Sequence, residues 1–264
     1  MCTKTEKEND DNATAGVTKS AHGPNVLVAN HPLLQSKLAV LRSSSTSPST
    51  FRKVLTELTY LLGYEASASL QTKLVGVSVQ SADGGDIVET SGVKLIDRVA
   101  LIPIMRSGLG MTEAMLHLLP NAGVHHIGMY KDTASSRPIQ YYNRLPRQCK
   151  ADWVFILDPV IATSASVMSV IGIMKKWGVK NISVISAIAS KSGLETLTKE
   201  HPDVQITIAA IDPGLTIDGI VLPGMGDAGD RLFDKSQTDQ DDDDDEELLH
   251  PSKRKRSTTT TKDI

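Results

Sequence analysis

The chain has few cysteines and few aromatic residues, and each shortage argues against a class of protein. Only Cys2 and Cys149 occur among 264 residues, so neither a disulfide framework nor a cysteine metal site is expected. Aromatic residues make up 4% of the chain, which leaves few rings for stacking on bases. The formal net charge of -3 gives no electrostatic reason for nucleic-acid binding. We therefore expect no nucleic-acid partner.

Long hydrophobic runs are also missing from the sequence. No stretch approaches the roughly 18 apolar residues of a membrane-spanning helix, and the first residues lack the apolar centre of a signal peptide. The sequence predicts a cytoplasmic protein without a membrane partner. One basic tetrapeptide, Lys253-Arg254-Lys255-Arg256, favours a nuclear address as the alternative.

Composition divides the chain into three parts. Residues 1–24 are polar without hydrophobic periodicity, which predicts a disordered leader. Residues 25–234 contain the apolar patterns and fit one domain, since roughly 100 to 200 residues per domain is usual. Residues 235–264 combine an acidic run with the basic tetrapeptide, and blocks of like charge predict a disordered acidic and basic tail.

Apolar runs alternate with helical patterns in the second half of the domain, which predicts right-handed crossovers and a parallel sheet covered on both faces. Earlier in the domain, two helices are predicted, the second from about Thr50 to Glu65, and an alternating stretch before a glycine turn predicts an extended arm or hairpin. The predicted strands are 26–28, 99–104, 124–130, 154–157, 182–188 and 204–210, and the later helices are 111–119, 167–178 and 192–200.

The stretch from Trp153 to Gly178 places a turn of small and hydroxyl residues between a buried strand and a helix. Free N–H groups at a helix N-terminus, with the hydroxyls of Thr163, Ser164 and Ser166, are suited to bind a phosphate. A tight loop with a helix cap is the structural alternative, since a strand, turn and helix form a common unit.

One acidic and one basic side chain lie where strands are predicted to end. Asp158 is suited to bind ribose hydroxyls or to reach a magnesium ion through water. Arg106 lies among small residues after the strand at 99–104, where open α/β folds bind ligands, and its paired N–H groups suit a diphosphate. A surface salt bridge is the alternative for Arg106.

Two further patterns invite metal or dinucleotide binding, and neither fits well. His125 and His126 are adjacent on a predicted strand and would point to opposite faces, so we expect no metal bound by direct side-chain ligation. Gly224, Gly226 and Gly229 have the spacing of a dinucleotide motif, but they follow a proline turn and open no apolar helix.

Four segments resemble the uracil phosphoribosyltransferase family. The loop 158–166, D-P-V-I-A-T-S-A-S, is similar to the family's D-P-M-L-A-T-G-G-S or -T, and 102–110 is similar to V-P-I-L-R-A-G-L-G. Segment 126–146 resembles H-I-G-M-Y-R-D-x-x-x-x-x-P-x-x-Y-Y-x-K-L-P, and 223–233 resembles P-G-L-G-D-A-G-D-R-x-F. The resemblance extends from Asn25 to Asp234 in one uninterrupted order.

This resemblance implies a fold, a reaction and its partners. The fold would be α/β, the type I phosphoribosyltransferase fold, with a parallel sheet flanked by helices and a small hood from the N- and C-terminal segments. The reaction would join uracil and phosphoribosyl pyrophosphate (PRPP) to give UMP and diphosphate in pyrimidine salvage. Mg²⁺ would accompany PRPP. Family members form homo-oligomers, and in some of them GTP is an allosteric activator.

The resemblance also assigns roles to residues by their position in the motifs. The catalytic positions are Arg106, Lys131 and Asp227. The uracil-binding positions are Val221, Gly226, Asp227 and Ala228. The PRPP-binding positions are Arg106, Lys131, Asp158, Pro159, Val160, Ile161, Ala162, Thr163, Ser164, Ala165, Ser166 and Asp227.

Four of the ligand-facing positions depart from the family pattern, where arginine, two glycines and often tyrosine stand. A lysine keeps the charge but loses the bidentate fork of arginine. Serine adds a donor, and residues that enter a helix are expected to need no positive φ. These last two points favour the enzyme, whereas the cluster of four departures favours the alternative, a catalytically weakened regulatory paralogue that binds PRPP or a nucleotide. An orotate or purine transferase is disfavoured, because those enzymes usually have two acidic residues at this loop, and Asp158-Pro159 stands there instead. The departures are Lys131, Ser164, Ala165 and Ile220.

Overall fold

The computed structural model describes residues 18–19, 23–82, 84–132 and 137–233. Most of the predicted leader and all of the predicted tail, with its basic tetrapeptide, lie outside the described residues. Within the leader, Thr18–Lys19 form a short strand that pairs antiparallel with residues 27–28.

Six α-helices occur in this part of the chain, and each buries small or apolar residues. Local signals set their ends: the Ser47 side chain accepts the N–H of Thr50 to begin the second helix, and Gly178, with φ 97°, ends the fourth. The helices are α1 (Pro32–Arg42), α2 (Pro48–Ala66), α3 (Leu109–Leu118), α4 (Ala165–Trp177), α5 (Lys191–Glu200) and α6 (Ala228–Phe233).

Fourteen strands are found in the same residues. Their bounds are β1 (Thr18–Lys19), β2 (Val26–Val28), β3 (Thr72–Gln80), β4 (Ile87–Leu95), β5 (Val99–Met105), β6 (Gly123–Val124), β7 (Ile127–Lys131), β8 (Pro138–Asn143), β9 (Trp153–Leu157), β10 (Val160–Ile161), β11 (Asn181–Ser190), β12 (Gln205–Asp212), β13 (Gly214–Leu215) and β14 (Val221–Leu222).

Ten of these strands form one sheet, in the order β1-β2-β12-β11-β9-β5-β7-β8, with β6 beside β5 and β10 beside β11. Neighbours from β2 to β7 run parallel, and only the pairings of β1 and β8 at the edges are antiparallel. Parallel neighbours require crossovers, which α3, α4 and α5 provide. The predicted parallel sheet is therefore confirmed.

Helices cover both faces of the sheet and create two apolar cores. In β5, Leu101 faces the core shared with α1, α2, α3 and α6, whereas Ile102 faces the core shared with α4 and α5. Both side chains are fully buried. Because successive side chains of a strand alternate in direction, a strand buried on both faces is apolar throughout.

The N- and C-terminal segments of the domain pack against each other, as the predicted hood requires. Arg52 in α2 donates to the carbonyl of Leu232 at 2.8 Å. Arg231 in α6 donates to the carbonyl of Leu41, in the last turn of α1, and to that of Ser43, the residue that caps this helix. Residues far apart in the sequence are thus joined by arginine side chains.

β3 and β4 form a separate two-stranded hairpin, which confirms the predicted extended arm. Several of its apolar side chains are exposed to solvent, among them Leu74 at 77% and Val93 at 69%. These two residues lie opposite each other in the hairpin. No helix among the described residues is both long enough and apolar enough to span a membrane.

The strand predicted over 124–130 is wrong in one detail, because the structure divides it into β6 and β7. The two strands keep the same register on β5, and the N–H of His125 still donates to the carbonyl of Leu101. The next bond of a parallel ladder would run from residue 103 to the carbonyl of His125. Pro103 has no N–H, so the ladder is interrupted there.

Candidate active site

A cleft of about 390 Å³ lies beside the ends of β5 and β9 and contains most of the predicted site residues. Those brought together are Lys131, Asp158, Val160, Ala162, Thr163, Ser166, Val221, Gly226, Asp227 and Ala228. The departing residue Ile220 also lines it. Residues not assigned from the sequence complete the wall: Ser107, Asp218, Gly219, Gly224, Met225 and Gly229.

A smaller pocket of about 80 Å³ is formed by the loop 158–166 itself and includes Ile161, Ser164 and Ala165. This loop follows β9, contains β10 and ends at the N-terminus of α4. Pro159 lines neither cavity. It is buried, and its carbonyl accepts the N–H groups of Ala187 and Ile188 in β11. Pro159 therefore fixes the loop to the sheet from behind.

Ser164 has a left-handed backbone conformation, with φ 64° and ψ -4°. The expectation that this residue needs no positive φ is wrong, because the loop turns at Ser164 before α4 begins. The side chain is 3% exposed, and its hydroxyl donates to the carbonyl of Thr163 at 2.6 Å. The hydroxyl is thus occupied within the loop, which contradicts the expected extra donor for a ligand.

The N-terminus of α5 holds the same loop from the opposite side. Ser190 caps α5 by accepting the N–H of Gly193, and its hydroxyl donates to the carbonyl of Ala162 at 2.6 Å. A side chain at Gly193 would overlap that carbonyl. Sequence patterns indicated only the start of a helix here, so this support for the loop was missed.

Arg106 lies beside the cleft and forms an ion pair. Its Nη2 is 2.6 Å from Oδ1 of Asp230, and both side chains are 51% exposed. The N–H of Asp230 in turn donates to the carboxylate of Asp227, which lines the cleft. The salt bridge considered as an alternative is present, but it joins Arg106 to the first turn of α6, next to the cleft, rather than to a remote surface.

Lys131, at the end of β7, reaches across to the turn between β13 and β14. Its Nζ donates to the carbonyl of Asp218 at 2.9 Å. Gly219 follows with φ 81° and also lines the cleft. Lysine has a single terminal nitrogen, so this contact occupies one of its three donors and leaves the charge at the cleft wall.

Asp158 is buried at the end of β9, and its carboxyl oxygen accepts the hydroxyl of Ser107 at 3.2 Å. The pKa of Asp158 is raised to about 7, chiefly by burial and in smaller part by the negative charge of Asp227, while hydrogen bonds from Ser107 and the Val160 backbone oppose the shift. A carboxyl with this pKa changes charge near neutral pH and is typical of a functional site.

The turn that leads into α6, residues 223–228, is shaped by glycines. Gly224 and Gly226 have φ values of 67° and 73°, which side chains rarely adopt. Val221 is 3% exposed at the base of the cleft, whereas Ile220 is 55% exposed at its rim. Residues 226–228, where uracil recognition was predicted, line the cleft.

The cleft also offers carboxylates to a cation. Asp158 and Asp227 both line it, and their mutual repulsion contributes to the raised pKa of Asp158. Oxygen ligands of this kind suit Mg²⁺, which usually keeps waters and binds one or two carboxylates together with substrate phosphates. Among the described residues, no group of three or more His, Cys, Asp or Glu is arranged to hold a metal ion.

Comparisons with known proteins agree with one another. The family described as "Uracil phosphoribosyltransferase" matches residues 28–234. The uracil phosphoribosyltransferase of Roseiflexus sp. (strain RS-1) is 42% identical over 210 residues, covering 79% of this chain and 97% of that relative. The one from Dictyoglomus turgidum is 43% identical over 209 residues, covering 79% and 98%. The solved structure of the AQ2163 protein from Aquifex aeolicus has a TM-score of 0.71 at 30% identity, covering 80% of this chain and 98% of that one.

Proposed function

Because this chain belongs to the uracil phosphoribosyltransferase family, we propose that it transfers the phosphoribosyl group of PRPP to uracil and releases UMP and diphosphate. One observation supports this most: the loop 158–166 and the turn 226–228 line the same cleft of about 390 Å³. A cleft of several hundred Å³ is the usual size for a small-molecule site. The donor and the base can therefore meet in one place.

The residues of the cleft suit a reaction that proceeds through positive charge on the ribose. Diphosphate leaves C1′ while uracil N1 attacks from the opposite face, so the chain must position two substrates and stabilise charge. Arg106 and Lys131 bind the diphosphate, and Asp227 lies near the ribose. The N-terminus of α4 holds the 5′-phosphate. No covalent nucleophile is required.

Asp158 and Asp227 would hold Mg²⁺ together with PRPP, through water rather than by direct ligation. The repulsion between their charges supports this assignment, because a divalent cation would relieve it. When bound, the ion neutralises negative charge on the diphosphate. GTP, an activator of some family members, is proposed as an effector, and its addition to the assay tests this.

Both relatives described above are named uracil phosphoribosyltransferase, which supports the catalytic interpretation over the regulatory paralogue. The left-handed Ser164 also supports it, because a serine there reproduces a backbone conformation that glycine adopts easily. The loop therefore turns without its usual glycine.

The proposed reaction is tested by UMP formation from uracil and PRPP with Mg²⁺, using purified protein. Arg106→Ala should lower kcat/KM at least about 100-fold, as expected for the loss of a charged group that stabilises the transition state. Arg98→Ala is the matched control, since Arg98 forms a similar exposed ion pair with Asp152 at 3.0 Å. Folded wild-type protein that binds PRPP but forms no UMP would instead establish the regulatory paralogue.

The β3–β4 hairpin supports a proposed homo-oligomer. One face of the hairpin carries Val75, Val77, Val79 and Val88, the last three of them exposed. Exposed apolar side chains on an extended hairpin are typical of a surface that another chain covers. Val77→Asp with Val79→Asp should produce monomers in sedimentation analysis, and an unchanged oligomer would contradict this proposal.

We propose that residues 25–234 form the catalytic domain and that residues 1–24 and 235–264 are appended leader and tail. The family match over 28–234 supports these bounds. The proposed location is the cytoplasm, with the nucleus as the alternative if Lys253-Arg254-Lys255-Arg256 acts as an address. Microscopy of tagged protein with and without residues 235–264 distinguishes the two.

A further inference from the structure

A buried ion pair lies behind the turn at 223–228 and binds both polar backbone groups of Gly224. Arg42, at the end of α1, places its two terminal nitrogens 2.7 and 2.6 Å from the two carboxylate oxygens of Asp212. Asp212 accepts the N–H of Gly224 at 2.9 Å, and Arg42 donates to the carbonyl of Gly224 at 2.7 Å. The N–H and C=O of one residue are therefore held by opposite members of one pair.

Burial of the Asp212 charge is costly unless hydrogen bonds satisfy the carboxylate. The Asp212 side chain is 3% exposed and that of Arg42 is 24% exposed. A buried carboxylate is tolerated only when its oxygens are paired, and here three donors satisfy them. Gly224 adds a second constraint, because a side chain at this position would overlap the carbonyl of Val221.

The adjacent residue is held in a similar way. Arg231 in α6 donates to the carbonyl of Met225 at 2.8 Å, and its guanidinium lies 4.2 Å from the ring centre of Phe51. Residues 224–228 all line the cleft, and the side chains that hold residues 224 and 225 lie outside its lining. Arg42 and Arg231 also line a separate cavity of about 290 Å³ on the far side of the turn.

We propose that Arg42 and Asp212 are positioning residues for base recognition. They hold the turn so that the backbone donors and acceptors at 226–228 present a fixed pattern to the edge of the base. This inference rests on the proposed function, since it assigns the base to that segment. Backbone recognition cannot adjust through side-chain rotation, and a displacement of about 1 Å can lower a rate about 100-fold. Loss of the pair should therefore impair uracil binding and selection more than PRPP binding.

The test compares Arg42→Lys and Asp212→Asn with Lys37→Gln. Arg42→Lys keeps the charge but loses the planar fork that binds both oxygens of Asp212 and the carbonyl of Gly224, and Asp212→Asn keeps the shape but removes the charge. Lys37→Gln is the matched control, because Lys37 lies in the same helix and pairs with Glu57 at 2.6 Å in α2. The readouts are KM for uracil, KM for PRPP, and the ratio of kcat/KM for uracil to that for cytosine.

We expect Arg42→Lys to raise KM for uracil about 10- to 100-fold and to lower the uracil-to-cytosine ratio, while KM for PRPP changes less than about threefold. Lys37→Gln should change none of these values. Hydrogen exchange should show faster exchange of the Gly224 amide in Arg42→Lys. Equal increases in both KM values, or an unchanged KM for uracil, would overturn the proposal.

Failure of the positioning inference and failure of the proposed function give different results. If Asp212→Asn does not fold, Arg42→Lys decides the question alone, because it leaves the charge of the pair intact. If the wild-type protein forms no UMP, the proposed function fails, and calorimetry with UMP and with PRPP then tests positioning. Arg42→Lys must weaken UMP binding more than PRPP binding, and equal weakening rejects the inference.

Discussion

The two halves of the cleft are stabilised in different ways. The phosphate loop, 158–166, is held by backbone and hydroxyl contacts with its neighbours in the sheet, and its turn is made by Ser164 at φ 64°. The base turn, 223–228, is made by glycines and is held by charged side chains from α1 and from its own helix. One half tolerates a serine where glycine is usual, and the other depends on a buried ion pair.

The difference has a physical explanation in what each half is proposed to bind. A phosphate accepts hydrogen bonds from several directions, so a loop that presents N–H groups at a helix N-terminus tolerates small changes. A base edge has donors and acceptors in a fixed pattern, and its recognition needs a fixed backbone. Substitutions should therefore affect the base turn more severely than the phosphate loop.

The largest effect is expected from Gly224→Ala in the base turn. The new side chain would require a left-handed conformation and would overlap the carbonyl of Val221, and together these should lower the free energy of unfolding by about 3 kcal/mol. Urea denaturation measures this. Gly226→Ala is the control, since its nearest neighbour is Cδ of Arg231 at 3.3 Å, and its cost should be only about 1–2 kcal/mol. Equal losses would contradict the special role of Gly224.

A smaller effect is expected from Ser190→Ala, which removes the support of the phosphate loop at Ala162. The loss of the α5 cap and of one buried hydrogen bond should lower the free energy of unfolding by about 2 kcal/mol. KM for PRPP should rise while KM for uracil stays constant. Ser47→Ala removes only the cap of α2 and should lower stability by about 1 kcal/mol without changing either KM. A rise in KM for uracil alone would refute this division of the cleft.

The pH dependence of PRPP binding should reveal Asp158. Its pKa is raised to about 7, so the folded protein binds a proton there that the unfolded chain releases at lower pH. The stability from this group is complete below the unfolded pKa and is lost as pH rises through about 7. The ionised carboxylate is the better acceptor for ribose hydroxyls, so KM for PRPP should fall between pH 6 and pH 8. Asp158→Asn should remove the part of this pH dependence that comes from the carboxyl group and retain only the part that comes from titration of the substrate. The same pH profile in both proteins would show that Asp158 does not contribute.

The smallest effect is expected from Ser164→Gly. Glycine relieves the left-handed strain but gains entropy in the unfolded chain and loses the bond to Thr163, so the net rise in the free energy of unfolding should be about 0.5 kcal/mol. Thermal unfolding should show a midpoint about 1–2 °C higher. Ser166→Gly is the matched control within α4 and should lower the midpoint, because glycine is unfavourable inside a helix. A lower midpoint for Ser164→Gly would mean that the loop is not strained at this residue.

Much of the fold could be predicted because its signals are local. The apolar run 154–157 indicated a strand buried on both faces, and the stripe of α2, with Phe51 and Leu55 fully buried, is as expected. The type I phosphoribosyltransferase fold is confirmed by the family match and the parallel sheet. Motifs also indicated which residues line the cleft, and ten of these assigned residues do so.

The missed features depend on contacts between residues distant in the sequence. Arg42 and Asp212 are 170 positions apart, and Arg106 and Asp230 are 124 apart. No local pattern indicates which partner a charged residue finds. The conformation of Ser164 was missed for another reason, since T-S-A-S resembles an ordinary helix start and nothing in it requires a positive φ.

We propose that the phosphate loop is functional with Ser164 and Ala165 in place of the family's two glycines. This proposal is tested by comparing UMP formation by the wild-type protein with that of the Ser164→Gly, Ala165→Gly double variant. We expect the wild-type protein to be active and the kcat/KM values for PRPP to agree within about threefold, a difference below about 1 kcal/mol. An inactive, folded wild-type protein whose activity appears only in the double variant would contradict it.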